Sequence, residues 1–186
     1  MARGRPSKKQ VILDAAKQLF ATSGYQGTSI DLVVQTAGVS KPTVYNNFPT
    51  KQALLSALLE QLLLEAREQR QMILDDNSMS LIDALLAIFR QLAAASEYLA
   101  VYRMCYGERH KLDEMTYQLC TDFDRALQDD CRNLLQKKAS DFPDSVALIV
   151  IAVCREAVLI PAMSGGQATS EEIVKAALSQ VLTEHR

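Results

Sequence analysis

Residues 28–51 read TSIDLVVQTAGVSKPTVYNNFPTK, the pattern of two short helices joined by a sharp turn and followed by the start of a third. The first of these helices has its apolar residues on one face: Ile30, Val33, Val34 and Ala37. Gly38 can adopt the left-handed conformation that such a turn requires, and Ser40 is a good N-cap for the second helix. The stretch therefore predicts a helix-turn-helix, which presents its second helix to the DNA major groove.

Three segments around this motif resemble the DNA-binding domain of the TetR family of transcriptional regulators. They are GYQGTSI at 24–30, AGVSKPTVYNNF at 37–48 and PTKQALL at 49–55. The resemblance implies a three-helix head that binds DNA, a homodimer, and a helical body with a pocket for a small molecule. By the same resemblance, Tyr45 and Lys51 would hold the phosphates that flank the groove.

Direct readout of bases requires short side chains at the start of the reading helix and hydrogen-bonding groups further along. An asparagine can pair with adenine, while threonine or proline can contact a thymine methyl. Hydroxyls at the preceding helix N-terminus, where we expect Thr28 to be the cap, can donate to phosphate. The predicted DNA-binding residues are Thr28, Ser29, Ser40, Lys41, Pro42, Thr43, Tyr45, Asn46, Asn47 and Lys51. Two alternatives stay open: Tyr45 packed on Phe48, and Asn46 as a helix-terminal residue.

The charge distribution supports contact between the N-terminal region and phosphate. Residues 1–51 hold seven basic and two acidic side chains, a net charge of +5, although the whole chain has a charge of −2. A basic end on an acidic body is the asymmetry expected of a DNA-binding head. The RGRP sequence at 3–6 is either an arm for an A·T-rich minor groove or a basic tail.

Helical periodicity continues through the rest of the chain, and no stretch shows the alternation of a β-strand. We expect an all-α fold of about nine helices, with a helix-turn-helix head on a helical bundle. The predicted domains are 1–55, for DNA binding, and 56–186, for effector binding and dimerisation. The predicted helices are 8–23, the two of the motif, 51–74, 80–95, 96–106, 113–139, 144–163 and a last one capped by Ser170.

No set of residues suggests catalysis or a bound metal. His110 and His185 are the only histidines and belong to different helices or bends, and Cys131 has no second ligand at a metal-binding spacing. We therefore expect no enzyme, no cofactor and no metal. The chain shows neither a signal peptide nor an apolar run of about 18 residues, so we expect a cytoplasmic protein without a membrane span and with reduced cysteines.

Two groups of apolar residues in the body are candidates for binding. Residues 89–123 are rich in aromatic, methionine and cysteine side chains, which describe either a ligand pocket or an ordinary core. The predicted pocket residues are Phe89, Tyr98, Tyr102, Tyr106, Tyr117 and Cys120. Helix 144–163 is apolar nearly all round and is either a dimer helix or a central core helix. Its predicted outward stripe is Ala147, Val150, Cys154, Ala157 and Val158.

These observations lead to a DNA-binding transcriptional regulator. We interpret it as a dimeric repressor that binds a palindromic operator in double-stranded DNA and is released by a small hydrophobic or aromatic ligand. The alternative is a thiol-based redox sensor on the same scaffold, in which Cys105 or Cys120 is modified. A third interpretation, a nucleoid protein without an effector, leaves the large body without a purpose.

Overall fold

The computed structural model describes residues 6–138 and 142–183, and within them every regular element is a helix. The helices are α1 (Lys8–Gly27), α2 (Ile30–Ala37), α3 (Lys41–Asn47), α4 (Lys51–Asp75), α5 (Leu81–Ala94), α6 (Ser96–Gly107), α7 (Glu114–Lys138), α8 (Asp144–Ser164) and α9 (Glu171–Thr183). A short 3₁₀ turn, Arg109–Lys111, precedes α7. The prediction of an all-α fold with about nine helices is confirmed. Residues 3–5 of the predicted basic arm lie outside the described residues.

The chain divides into two compact units that differ from the predicted domain boundary after residue 55. The first unit comprises residues 1–63 and 96–121, and the second comprises 64–95 and 122–186. Helices α4 and α7 each begin in the first unit and end in the second. The helix-turn-helix therefore shares its compact unit with α6 and the beginning of α7.

The first unit is built around α1, which packs against α2, α3 and α6. Its apolar residues recur at helical spacing and turn inward, so that Ile12, Ala16 and Phe20 are buried. Val33 of α2 and Val44 of α3 are fully buried as well. These contacts hold α3 on one side, and its other side is exposed.

Helix α1 bends at Gly24, where the sequence predicted its end. Gly24 has a φ of 66°, and the helix resumes to Gly27 after this break. Glycine is favoured here by its backbone conformation, and a Cβ, which would lie 2.8 Å from Oε1 of Glu108, would displace that carboxylate. Glu108 approaches closely because its carboxylate binds the next two backbone amides, of Tyr25 at 3.1 Å and Gln26 at 3.0 Å.

In the second unit, α9 is attached to α5 by ion pairs. Lys175 lies 2.7 Å from Asp83, and Glu171 lies 2.5 Å from Arg90. All four side chains are exposed, so these pairs add little stability and chiefly orient the two helices. Val174, Leu178 and Leu182 form the buried face of α9.

Helix α8 contains a π-helical turn at Arg155–Leu159. The carbonyl of Ala157 in this turn accepts a hydrogen bond from the amide of Thr169 at 3.3 Å, so the wider turn is tied to the segment before α9. By length and composition α8 could cross a membrane, with 21 residues and a mean hydropathy of 2.2, a test that core helices of soluble proteins also pass. Such a helix must be covered on most of its sides.

A candidate nucleic-acid interface

The turn between α2 and α3 has the geometry that its sequence predicts. Gly38 ends α2 in the left-handed conformation, with φ 62° and ψ 33°, and its amide donates to the carbonyl of Gln35. The Ser40 hydroxyl accepts the amide of Thr43 at 3.3 Å and so caps α3. Pro42 lies in the first turn of that helix, where a missing N–H costs nothing.

Helix α3 has one buried side and one exposed side. Val44 is fully buried and the adjoining Phe48 is 3% exposed, so these two side chains hold the helix against the head. Pro42, Tyr45 and Asn46 are exposed on the other side. Tyr45 is 42% exposed, so its ring is available at the surface, and its packing on Phe48 stays an alternative. The exposed side carries the side chains that the major groove requires.

Two lysines at the edges of this surface are held by neighbouring side chains. The ammonium of Lys41 lies 2.8 Å from the Asp31 carboxylate, and this hydrogen bond raises the pKa of Lys41. The ammonium of Lys51 lies 4.2 Å from the centre of the Tyr25 ring, a cation–π contact. Partial burial lowers the pKa of Lys51, and the nearby Glu108 opposes that change. Both lysines are therefore oriented before any contact with DNA.

Three predicted contacts are changed by the local structure. Ser29, not Thr28, caps α2, because its hydroxyl accepts the amide of Leu32 at 3.1 Å. Thr28 is 1% exposed and its hydroxyl donates to the carbonyl of Gly24, so its predicted role in phosphate binding is wrong. Asn47 is exposed, but its amide donates to the carbonyl of Thr43 at 2.8 Å. The sequence does not show whether Thr28 or Ser29 is the N-cap of α2, since both residue types are good caps.

A groove of about 690 Å³ adjoins the turn on the side of the α1 N-terminus. It is lined by Pro6, Lys8, Val11, Ala37, Gly38, Val39, Ser40 and Thr43. One lysine and two hydroxyls in a concave surface are suited to a phosphate backbone. Lys8 is thus an additional candidate for DNA contact, which the sequence indicated only as part of a basic stretch.

The predicted pocket residues have different environments. Tyr98, Tyr102 and Cys120 are buried in the first unit, and Phe89 is buried in the second. Tyr106 is 61% exposed and stacks on Tyr102, with ring centres 6.4 Å apart. Tyr117 is half-buried beneath the guanidinium of Arg109, which lies 3.8 Å from the ring centre and also pairs with Glu114. Their role in ligand binding stays a prediction.

Two cysteine thiols meet in the first unit. A hydrogen bond with Cys105, together with burial, raises the pKa of Cys120 far above its usual range. Cys105 is half-buried and Cys120 is buried. A thiol that stays protonated is a poor nucleophile, so this contact brings two sulfurs together without activating Cys120.

The predicted outward stripe of α8 faces the interior of the chain and not its surface. Ala147, Val150, Cys154 and Ala157 are buried within the single chain, and Val158 is half-buried. The large apolar side chains that are exposed on the described parts of these helices are instead Leu148, Ile149 and Ile160 of α8 and Ile173 of α9. Because α8 is apolar on nearly every side, its sequence gives the helical period without showing which side faces the core.

The sequence does not predict the contact of Glu108 with the backbone after Gly24. The sequence indicates only a polar bend at 107–112, and a carboxylate that binds backbone amides more than 80 positions away leaves no local pattern. Among residues 6–138 and 142–183, no group of three or more His, Cys, Asp or Glu side chains is arranged to hold a metal ion.

Comparisons with known proteins agree with the geometry of the head. The model of the family described as bacterial regulatory proteins, tetR family, matches residues 12–58. The HTH-type transcriptional regulator YvkB of Bacillus subtilis is 46% identical over 57 residues, which are 31% of this chain and 30% of YvkB. The regulator RutR of Escherichia coli is 34% identical over 98 residues, which are 53% of this chain and 41% of RutR.

The matched stretches thus span less than half of these curated relatives. A crystal structure of a TetR transcriptional regulator from Legionella pneumophila has a TM-score of 0.76, covering 99% of this chain and 100% of that one. At 14% identity, this likeness shows the fold alone. The sequence matches and the geometry of the turn concern the same residues. Residues 12–58 therefore match the TetR family of bacterial regulatory proteins, and they contain the helix-turn-helix of this chain.

Proposed function

We propose that the protein is a transcriptional repressor that binds operator DNA through α3. The observation that carries this proposal is the exposed side of α3, where Pro42, Tyr45 and Asn46 stand opposite the buried Val44. A helix held by its apolar side and presenting amide, aromatic and proline groups matches what a major groove accepts.

Phosphate contacts come from the rim of this surface. Lys41, Lys51 and Ser40 surround α3, and Lys8 extends the basic edge along the adjoining groove. A phosphate that approaches Lys41 competes with Asp31 or shares the ammonium with it. Because each neutralised phosphate releases counterions, affinity should fall steeply as salt concentration rises.

A second copy of the chain covers the exposed apolar side chains of α8 and α9. Leu148 and Ile173 are 68% and 62% exposed, and Ile149 and Ile160 extend the same helices' apolar surface. Scattered apolar residues are ordinary on a surface, but large ones concentrated on two adjacent helices mark an interface. A two-fold dimer has two reading helices and therefore takes a palindromic operator.

The effector in this proposal is a small hydrophobic or aromatic molecule, and the protein acts in the cytoplasm. The proposed lining in the first unit is Tyr98, Tyr102, Tyr106, Tyr117 and Cys120, whereas Phe89 belongs to the second unit. To release DNA, the ligand must bind the DNA-incompetent state more tightly by about 1–3 kcal/mol. The Cys105–Cys120 contact favours the alternative of a thiol sensor, whereas the raised pKa of Cys120 opposes it.

The test is a fluorescence-anisotropy titration of the full chain against duplexes that tile the DNA around its own gene. We expect one palindromic duplex to bind on the order of 10³-fold more tightly than a scrambled duplex of equal length. Equal affinity for every duplex would contradict a sequence-specific regulator. A variant with Asn46→Ala and Tyr45→Ala should lose the preference while keeping its helical content.

A further inference from the structure

The side chain of Arg70 is buried completely in the second unit, on α4. Its Nε donates to Oδ2 of Asp130 on α7 at 2.6 Å. Its two terminal nitrogens, Nη1 and Nη2, are buried and have no hydrogen-bond partner among the described residues. Unpaired N–H groups on a buried guanidinium are strongly unfavourable, so this end of Arg70 requires an acceptor.

The described neighbours of the guanidinium include the Asp130 carboxylate and the Cys131 thiol. Burial raises the pKa of Cys131 to about 12, with smaller contributions from Cys154 and Asp130, while the positive charge of Arg70 lowers it. Arg70 is thus a neighbour of Cys131, and both thiols are fully buried. Asp130 is bonded to Nε. No described residue supplies a hydrogen-bond acceptor to Nη1 or Nη2.

Asp130 also belongs to a cleft of about 240 Å³ between the end of α4 and α7. Its lining is Gln71, Leu74, Asp75, Asp130, Asn133, Leu134 and Lys137. The Asp130 side chain is 23% exposed, so one carboxylate joins the buried arginine to the open cleft. Lys137, whose ammonium donates to the carbonyl of Leu74 at 3.3 Å, adds a positive charge at the cleft.

We propose that Arg70 anchors a small organic carboxylate that enters through this cleft. Both carboxylate oxygens accept from Nη1 and Nη2, the two-bond geometry that guanidinium and carboxylate groups prefer, while Asp130 keeps its bond to Nε. The negative charge of the ligand is balanced by Lys137, since Asp130 already balances Arg70. The cleft is smaller than the usual range of about 300–1,000 Å³, which limits the ligand to a small monocarboxylate.

This inference rests on the proposed function, because the bound carboxylate would be the effector. It changes the expected ligand from a hydrophobic or aromatic molecule in general to one with a carboxylate group. It also places the group that holds the ligand in the second unit, away from the predicted pocket residues of α6.

The probes are acetate, butyrate, benzoate and octanoate, each paired with its neutral amide, added to the full-length protein without DNA. Isothermal titration and thermal unfolding measure their binding. We expect at least one carboxylate to bind and to raise Tm while its amide does not. Arg70→Met should weaken that binding about ten- to a hundred-fold, the loss of two charge-assisted hydrogen bonds.

A matched control is Arg132→Met on the same helix as Asp130, because Arg132 makes an exposed pair with Asp129 at 3.1 Å. It should bind as the wild type does. If Arg70→Met does not fold, the double variant Arg70→Met with Asp130→Leu removes both charges together and replaces the pair by apolar groups. It should fold and lose the carboxylate.

The inference is overturned if none of the four carboxylates shows binding at ligand concentrations up to about 10 mM, because a Kd above that value means negligible affinity. It is overturned equally if amides bind as well as carboxylates, or if binding survives in the folded Arg70 variants. Operator titration of the same samples separates the two proposals. Wild-type protein that binds its operator but no carboxylate retains the proposed regulator and loses this site.

Discussion

The Glu108 carboxylate, beyond the end of α6, accepts a hydrogen bond from the backbone amide of Tyr25, 83 positions earlier in the chain, at 3.1 Å. Its second oxygen accepts the next amide, that of Gln26, at 3.0 Å. Because Lys51 lies over the Tyr25 ring, the segment that carries a proposed phosphate contact is fixed by a residue outside the helix-turn-helix. The end of α6 is thus connected by direct contacts to the proposed DNA-binding surface within one compact unit.

Replacing Glu108 by alanine should loosen the head. Two backbone amides lose a charged acceptor, and we expect a loss of about 1–3 kcal/mol in the free energy of unfolding. Urea titration followed by circular dichroism measures this loss. The matched control is Glu114→Ala, which removes an 80% exposed carboxylate paired with Arg109 and should change stability by less than about 0.5 kcal/mol. Equal effects of the two changes would contradict the proposed clamp.

Lys51→Ala should weaken binding to all DNA sequences alike. Loss of one phosphate contact should reduce the slope of log K against log salt concentration by about 0.9. Anisotropy titrations at four salt concentrations measure the slope. The control is Lys17→Ala, whose ammonium pairs with Glu97 at 3.3 Å on the side of α1 that faces α6. An unchanged slope in Lys51→Ala would remove this lysine from the interface.

Asn46→Ala should instead lose discrimination at one base pair. An asparagine that pairs with adenine contributes about 1–3 kcal/mol of preference for that base. Binding to a set of operators with single substitutions measures the loss. Asn47→Ala serves as the control because its amide is engaged with the carbonyl of Thr43 and should not read a base. If Asn47→Ala relaxes specificity more than Asn46→Ala does, the orientation of α3 on DNA is different from that proposed.

Charges placed on the two sides of α8 should have different effects. Ile149→Arg introduces a charge on the exposed apolar side and should give a folded monomer. Ala157→Arg places the charge at a position that is 6% exposed, so it should unfold the second unit at a cost of several kcal/mol. Sedimentation velocity and circular dichroism distinguish these outcomes. A wild-type protein that sediments as a monomer at micromolar concentration would end the proposal of a dimer.

Thiol labelling should distinguish Cys105 from the other cysteines. Burial raises the pKa of Cys131 and of Cys154 to about 12, and Cys120 is raised further through Cys105. Since a raised thiol pKa keeps the proton on below that pKa, only about one such thiol in ten thousand is ionised at pH 8. Cys105 should therefore react first, and Cys105→Ser should suppress early labelling by an aromatic disulfide. Rapid labelling of Cys120 in the native protein would favour the redox-sensor alternative.

The local features of the head could be predicted from sequence because each depends on nearby residues. The left-handed Gly38, the cap at Ser40 and the buried Val44 follow from turn chemistry and helical period, and all are present. The prediction that Thr28 caps α2 was wrong because either of Thr28 and Ser29 can cap this helix. Only the bend at Gly24 decides which of the two hydroxyls turns inward.

The contacts that extend over long separations could not be predicted in this way. Arg70 and Asp130 are 60 positions apart, and a charged residue on a long helix is ordinarily exposed, so the pattern of α4 favours a surface position for Arg70. The prediction of which side of α8 is exposed was wrong for the opposite reason, because too many of the residues of this helix are apolar. A pattern must contain contrast before it can show which side of a helix is buried.

The π-helical turn in α8 has a consequence for how the exposed surface of this helix can evolve. Leu148, Ala152, Glu156 and Ile160 are four positions apart, and all are exposed. In a regular α-helix each step of four overshoots a full turn by about 40°, so three steps would rotate Ile160 by about 120° from Leu148. The wider turn at Arg155–Leu159 reduces that drift. Deletion of a single codon there would rotate the rest of α8 by about 100°. One mutation would then present a different surface for dimerisation without replacing any residue.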